Sequence, residues 1–128
     1  MKVLKNWDNK TWLSTKAYIL SFNSFLLKKK KLNKNSQILD IGCGRGKIFG
    51  SLSRKLKLVN KPIGIDPVPH KDIDKSIDFR NEDIFVFFKI NKNKFDLIMI
   101  KQTLHFFNED KRKKLIIICK NSLKKNGV

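Results

Sequence analysis

The sequence predicts an α/β fold built on a parallel sheet, and three observations carry that prediction. Apolar residues Ile38, Leu39 and Ile41 form a strand pattern that breaks into a glycine loop, Gly42, Gly44 and Gly46, and opens a helix. Residues 62–66 then make a second short apolar run ending in an acid, which closes a β-α-β unit. Residues 95–100, Phe-Asp-Leu-Ile-Met-Ile, are nearly all apolar, as a strand covered by helices on both faces should be.

Taken in order, the chain begins with a helical stripe of Trp12, Leu13, Tyr18, Ile19, Phe22, Phe25 and Leu26, followed by a polar stretch over residues 28–35. This divides the protein into a helical region with a basic linker, residues 1–35, and a core, residues 36–128. The first strand comes next. Asp40 puts a carboxylate at its end, and the glycines let a ligand approach bare backbone. The helix that follows has first-turn N–H groups with no internal partner, which can bond ligand oxygens.

Spacing narrows the ligand. A dinucleotide fingerprint needs a third glycine at position 47, where Lys47 stands. A phosphate-binding P-loop needs a glycine at 41 and a Ser or Thr after the lysine, but these positions are Ile41 and Ile48. What remains is acid-x-Gly-x-Gly-x-Gly, from Asp40 to Gly46. In this the chain resembles the class I S-adenosylmethionine (SAM) methyltransferases, whose first motif has this form. The resemblance implies a Rossmann-like three-layer sandwich with parallel strand order 3-2-1-4, SAM as cofactor, and cofactor contacts from Asp40, Gly42, Cys43, Gly44 and Gly46. A glycine-rich turn in an unrelated α/β protein is the alternative for the loop taken alone.

Further elements extend the pattern. Ile48, Phe49, Leu52 and Leu56 recur at helical spacing. Asp66 lies about 20 residues past the last glycine, where an acid at the tip of a second strand can accept from both ribose hydroxyls; the resemblance implies the same role. A turn-forming Asp before Pro67 is the plainer reading. Residues 76–80 make a third strand, followed by Asn81, Glu82, Asp83 and Ile84. By resemblance Asp83 accepts from the adenine amino group and Ile84 packs on the ring, with Glu82 able to replace Asp83. Asp83 can equally cap the helical turn of Ile84, Phe85 and Phe88, and the two roles are compatible.

The fourth strand runs into Lys101, Gln102, Thr103, Leu104, His105, Phe106 and Phe107, in the crevice where parallel sheets bind ligands. Residues 95–107 resemble the fourth motif of small-molecule methyltransferases. Lys101 joins the cofactor set on this ground, and His105 is a weak catalytic candidate, since a lone histidine beside two phenylalanines is more often packed or capping. His70 sits in a proline-flanked loop, outside any motif. The last helix starts at the N-cap Asn108 and is expected to stop at Gly127, with Val128 as the first residue of a fifth strand.

A complete domain of the resembled family has seven strands, so strands five to seven are missing from these 128 residues. The expectation is an uncovered edge on the fourth strand and an exposed apolar side on the last helix. Either the chain belongs to a longer protein, or self-association or a partner chain covers that edge.

Composition fits one domain, at 41% hydrophobic residues and without repeats. The formal charge of +18 would attract nucleic acid. Yet only Arg45, Arg54, Arg80 and Arg112 are arginines, and the lysines are spread along the chain beside many Asn and Ile, as an AT-rich genome produces. Dedicated phosphate or base contacts favour arginine's planar fork. The Pro-Pro-aromatic and Pro-Cys signatures of amino- and C5-directed nucleic-acid methyltransferases are missing here. Cys43 and Cys119 suggest neither a disulfide framework nor a zinc site and fit a reducing compartment. With no signal peptide or membrane span expected, the location read from sequence is the cytoplasm. The functional expectation is SAM-dependent methylation of a small molecule. The alternatives are an RNA methyltransferase and an inert SAM-binding or scaffolding half that needs a partner.

Overall fold

The computed structural model describes residues 16–101 and 103–128. Trp12 and Leu13 of the expected helical stripe lie outside them. In chain order the elements are α1 (Lys16–Lys29), β1 (Ile38–Ile41), α2 (Lys47–Leu56), β2 (Ile63–Ile65), β3 (Asp78–Arg80), α3 (Ile84–Ile90), β4 (Leu97–Ile100), a 3-10 turn (Leu104–Phe106) and α4 (Glu109–Asn121). The four strands form one sheet in the order β3-β2-β1-β4. All pairings are parallel, with Asp40 beside Gly64 on one side and Met99 on the other. The expected fold and strand order are therefore found.

Side chains alternate across β1 and build a core on each face. Ile38 packs with Ile48, Phe49 and Leu52 of α2, Leu26 of α1, and Leu97 and Met99 of β4. Leu39 and Ile41 point the other way, into Phe87 and Phe88 of α3 and Leu115 and Cys119 of α4. Because both faces are covered, all four residues of β1 are buried, which is why its sequence lacks a polar face.

Element ends differ from the sequence expectation for identifiable reasons. The second strand starts at Ile63 because Pro62 has no N–H to give, though its carbonyl accepts from Asp78 at 2.8 Å. Ser76 and Ile77 precede β3 in a turn closed by Asp74, whose Oδ1 accepts from Ser76 N at 2.9 Å. The last helix ends at Asn121, not near Gly127. There Leu123 leaves to bridge Phe95 in parallel, and Lys124 N donates to Phe95 O at 2.8 Å. Gly127 serves this crossing: a Cβ on it would lie 2.9 Å from the carbonyl oxygens of both Lys124 and Phe95. Val128 then lies along β4, donating to Asp96 O at 3.0 Å and accepting from Ile98 N at 2.9 Å. On α1 the buried residues are Asn23 and Leu26, whereas Phe25 of the expected stripe is half exposed beneath the Lys29 ammonium.

Candidate cofactor site

Parallel strands bring their carboxyl ends to one edge, so the loops after β1, β2, β3 and β4 lie together at that edge, where sheets of this kind bind ligands. That topology gathers Asp40, the glycine loop, Asp66, Asp83 and Lys101. Gly42, Gly44 and Gly46 have φ of 74°, 56° and 71°, a left-handed region that costs any other residue strain. The loop folds back on β2, with Gly42 N and Cys43 N both donating to Ile65 O, at 2.7 and 3.2 Å.

Two of these glycines are required by protein packing. A Cβ on Gly42 would sit 1.8 Å from Thr103 Oγ1, and one on Gly46 would sit 2.1 Å from Ile77 Cδ1. The free space expected above the loop is thus partly taken by this chain's own side chains. Thr103 Oγ1 lies 3.0 Å from Lys101 O and 3.3 Å from Ile41 O, so it bolts the segment after β4 to the end of β1. Sequence pattern gives no sign of that contact, because it joins residues 62 apart. The first turn of α2 has no side-chain cap, since its N-cap is Gly46.

Asp66 stands at the tip of β2 with its carboxylate held by backbone. Oδ2 accepts from Gly44 N at 2.9 Å and Oδ1 from Val68 N at 2.9 Å. Asn81 Nδ2 donates to its carbonyl at 2.9 Å. The turn reading of Asp66 is met by the Val68 contact, and its carboxylate is held at the tip of β2 by two backbone N–H groups. His70, outside any motif in the sequence, comes back to this acid, with Nε2 3.4 Å from Oδ2. The only signal for it was its i+4 spacing across two prolines.

Asp83 is the N-cap of α3. Its Oδ1 accepts from Phe85 N at 2.8 Å and Val86 N at 3.2 Å, so the capping role is present and Oδ2 is not engaged in it. Ile84 is buried in the core beside Phe87, with 5% of its surface exposed. Glu82 is half-buried just before the cap. Asp40 is buried inside β1, and Cys43 turns its Sγ to Gly44 O at 3.4 Å and against the space above Gly64. Lys101 places its ammonium 5.7 Å from the Tyr18 ring centre and 5.8 Å from that of Phe22, which ties α1 to the end of β4. Burial pushes the Tyr18 hydroxyl above its ordinary pKa. His105 is exposed on the 3-10 turn, its ring centre 4.1 Å from that of the likewise exposed Phe106. Arg112 Nε donates to Leu104 O at 2.8 Å and anchors that turn.

The loop between β2 and β3 is clamped by Asp74. Arg54 donates to its Oδ1 at 2.7 Å and to Ser76 Oγ at 3.0 Å, and Asp74 N donates to Arg45 O in the glycine loop at 2.9 Å. Burial works to raise the pKa of Asp74. The Arg54 and Ser76 hydrogen bonds and the charges of Arg54 and Lys47 outweigh it and hold the acid below the usual carboxylate range. A cavity of about 800 Å³ lies at the opposite, amino-terminal edge of the sheet, lined by Gln37, Lys61, Ile63, Asp78 and Lys94. It is therefore separate from the crevice that collects Asp66 and Asp83.

With this geometry in place, residues 38–127 match a family described as "Methyltransferase domain". No curated protein matches the chain. Among solved structures, a SAM-dependent methyltransferase from Archaeoglobus fulgidus is similar at 20% identity and TM-score 0.69, over 96% of this chain and 53% of that one. The plantazolicin methyltransferase BpumL, with a desmethylPZN analogue and S-adenosylhomocysteine (SAH) bound, is similar at 24% identity and TM-score 0.69, over 96% and 48%. A precorrin 8w decarboxylase from Methanobacterium thermoautotrophicum is similar at 16% identity and TM-score 0.64, over 84% and 59%. At these identities the likeness is one of fold, and the chain spans about half the length of these proteins.

Proposed function

This chain belongs to the methyltransferase-domain family, and from that premise we propose that it binds SAM and forms the cofactor half of an enzyme that methylates a small molecule. One observation carries the reading. The acid-and-glycine loop after β1, Asp66 after β2 and Asp83 after β3 lie at one edge of a sheet ordered β3-β2-β1-β4. In this reading Asp66 accepts from the ribose hydroxyls, Asp83 Oδ2 from the adenine amino group, and Ile84 backs the ring. Gly42 to Gly46 and buried Asp40 surround the methionine portion, with Lys101 at its far side.

SAM supplies an activated methyl group, so the protein's task is orientation and exclusion of water more than bond activation. Thr103 contributes by fixing the acceptor-side segment against the glycine loop. The exposure of His105 leaves it without the fixed position that a general base needs, and no residue is assigned that role. The acceptor pocket would be completed over β4 and α4, by a further segment of polypeptide, a partner chain or a second copy. Among the described residues no helix is long and apolar enough to cross a membrane, and a cytoplasmic location remains part of this proposal.

Isothermal titration with SAM, SAH and NAD tests the cofactor. SAM and SAH should bind more tightly than NAD, and Asp66→Ala should lower SAH affinity about tenfold or more, as expected for hydrogen bonds to a charged group. Preference for NAD, or unchanged SAH binding by Asp66→Ala, would overturn the assignment.

A further inference from the structure

The loop leaving β2 carries a residue that this reading does not use. Its sequence is Asp66, Pro67, Val68, Pro69, His70. Each proline locks its own φ near −65° and pushes the residue before it toward extended backbone, so the segment is stiff. The Val68 N–H closes a turn on Asp66 Oδ1 at 2.9 Å. The chain thereby returns on itself and sets His70 Nε2 3.4 Å from Asp66 Oδ2. Both side chains are largely withdrawn from solvent, with 20% and 13% of their surface exposed.

Acceptor capacity then becomes the deciding quantity. A carboxylate offers about four lone-pair sites, two on each oxygen. Gly44 N takes one on Oδ2 and Val68 N one on Oδ1. His70 Nε2, 3.4 Å away, stands at the second site on Oδ2 as a contact longer than an ordinary hydrogen bond. One site remains, on Oδ1. A ribose diol held at two points needs one site on each oxygen.

We propose, on the basis of the SAM reading above, that His70 competes with the cofactor ribose for Asp66 Oδ2 and is displaced when the cofactor binds. His70 is thus a further residue of the cofactor site, one that lowers its affinity for a diol-bearing ligand. The backbone bonds from Gly44 and Val68 need not change. The loop at Pro67, Val68 and Pro69 is exposed, so the displaced ring moves into water and keeps a hydrogen-bond partner.

The test is titration of SAH, and of its 2′,3′-dideoxy analogue, into the parent protein and His70→Ala. Removing the imidazole should tighten SAH binding about threefold to tenfold, the scale of one net hydrogen bond. Binding of the dideoxy analogue should not change. A gain of affinity limited to the diol ligand cannot come from general damage to the loop. In parallel, ¹H–¹⁵N spectra of the imidazole should show Nε2 protonated in the free protein and its signal moving when SAH is added. Equal or weaker SAH binding by His70→Ala, the same gain for both ligands, or an imidazole signal indifferent to SAH would each overturn the competition. Failure of the SAM reading has a different signature, namely a folded parent and a folded His70→Ala that both bind no SAH. The competition then falls with its premise, whereas SAH binding without the His70 effect overturns the competition alone.

Discussion

The two flanks of the sheet are held in different ways. On the β3-β2-β1 side hydrogen bonds tie the loops to one another: Asp66 Oδ2 accepts from Gly44 N, Asn81 donates to the Asp66 carbonyl, and Asp74 N donates to the Arg45 carbonyl while its carboxylate accepts locally from Ser76 N. On the β4 side the described residues pair the outer edge near its start, where Ser122 and Lys124 bond Phe95, and at Val128, and α4 leaves Ile116 and Ile117 51% and 60% exposed. The first flank is cross-tied between its loops. The second presents apolar side chains of the kind that folded monomers usually cover. The loops that the proposed cofactor site uses thus lie on the more heavily cross-tied flank.

The largest effect that would break this contrast is at the glycine loop. Gly42→Val puts a side chain into the Thr103 hydroxyl at a left-handed φ, and strain plus overpacking should cost roughly 2 to 5 kcal/mol. Urea unfolding would measure it. A stability within 0.5 kcal/mol of the parent would mean that the loop is loose and that the ordered flank is not as drawn.

A smaller effect concerns acid. Because the folded pKa of Asp74 is depressed, its contribution to stability is fully present above the ordinary carboxylate range, near 4, and is lost as pH falls through the lower folded value. Asp96 on the other flank behaves alike, where burial is outweighed by the Gln37 N–H and by Lys124 and Lys30. Asp74→Asn should lower the melting temperature at pH 7 and flatten its decline between about pH 4 and pH 2. An unchanged acid limb would show that the Arg54 clamp is open in solution. The smallest expected effect on stability belongs to α4. Ile116→Lys with Ile117→Lys should change unfolding free energy by about 0.5 kcal/mol or less while reducing self-association in light scattering. A loss of several kcal/mol would place these residues in a core and erase the contrast.

Where the sequence and the structure agree, the signal is local. The strand, glycine loop and helix from Ile38 to Leu56, the acid after the second strand and the Asp83 cap are written in runs of a few residues, because backbone preference and hydrophobic period act at that range. Chain order then restricts the sheet to parallel crossovers, which is why the β3-β2-β1-β4 order could be expected from the resemblance carried by these motifs.

What the tertiary structure alone decided depends on residues that meet from far apart. No period announces that Thr103 fills the space above Gly42, that Ile77 does so above Gly46, or that Asn23 is buried with its amide 3.2 Å from Ser51 Oγ. The end of α4 was misplaced from sequence for the same reason: the bridge between Leu123 and Phe95 takes the chain out of the helix before Gly127 is reached. The sequence by itself determined the elements, their order and the acids at their tips. Only packing between segments could decide which glycines are filled from within, where the last helix stops, and that His70 returns to Asp66, since such contacts depend on the distance between side chains in space and not along the chain.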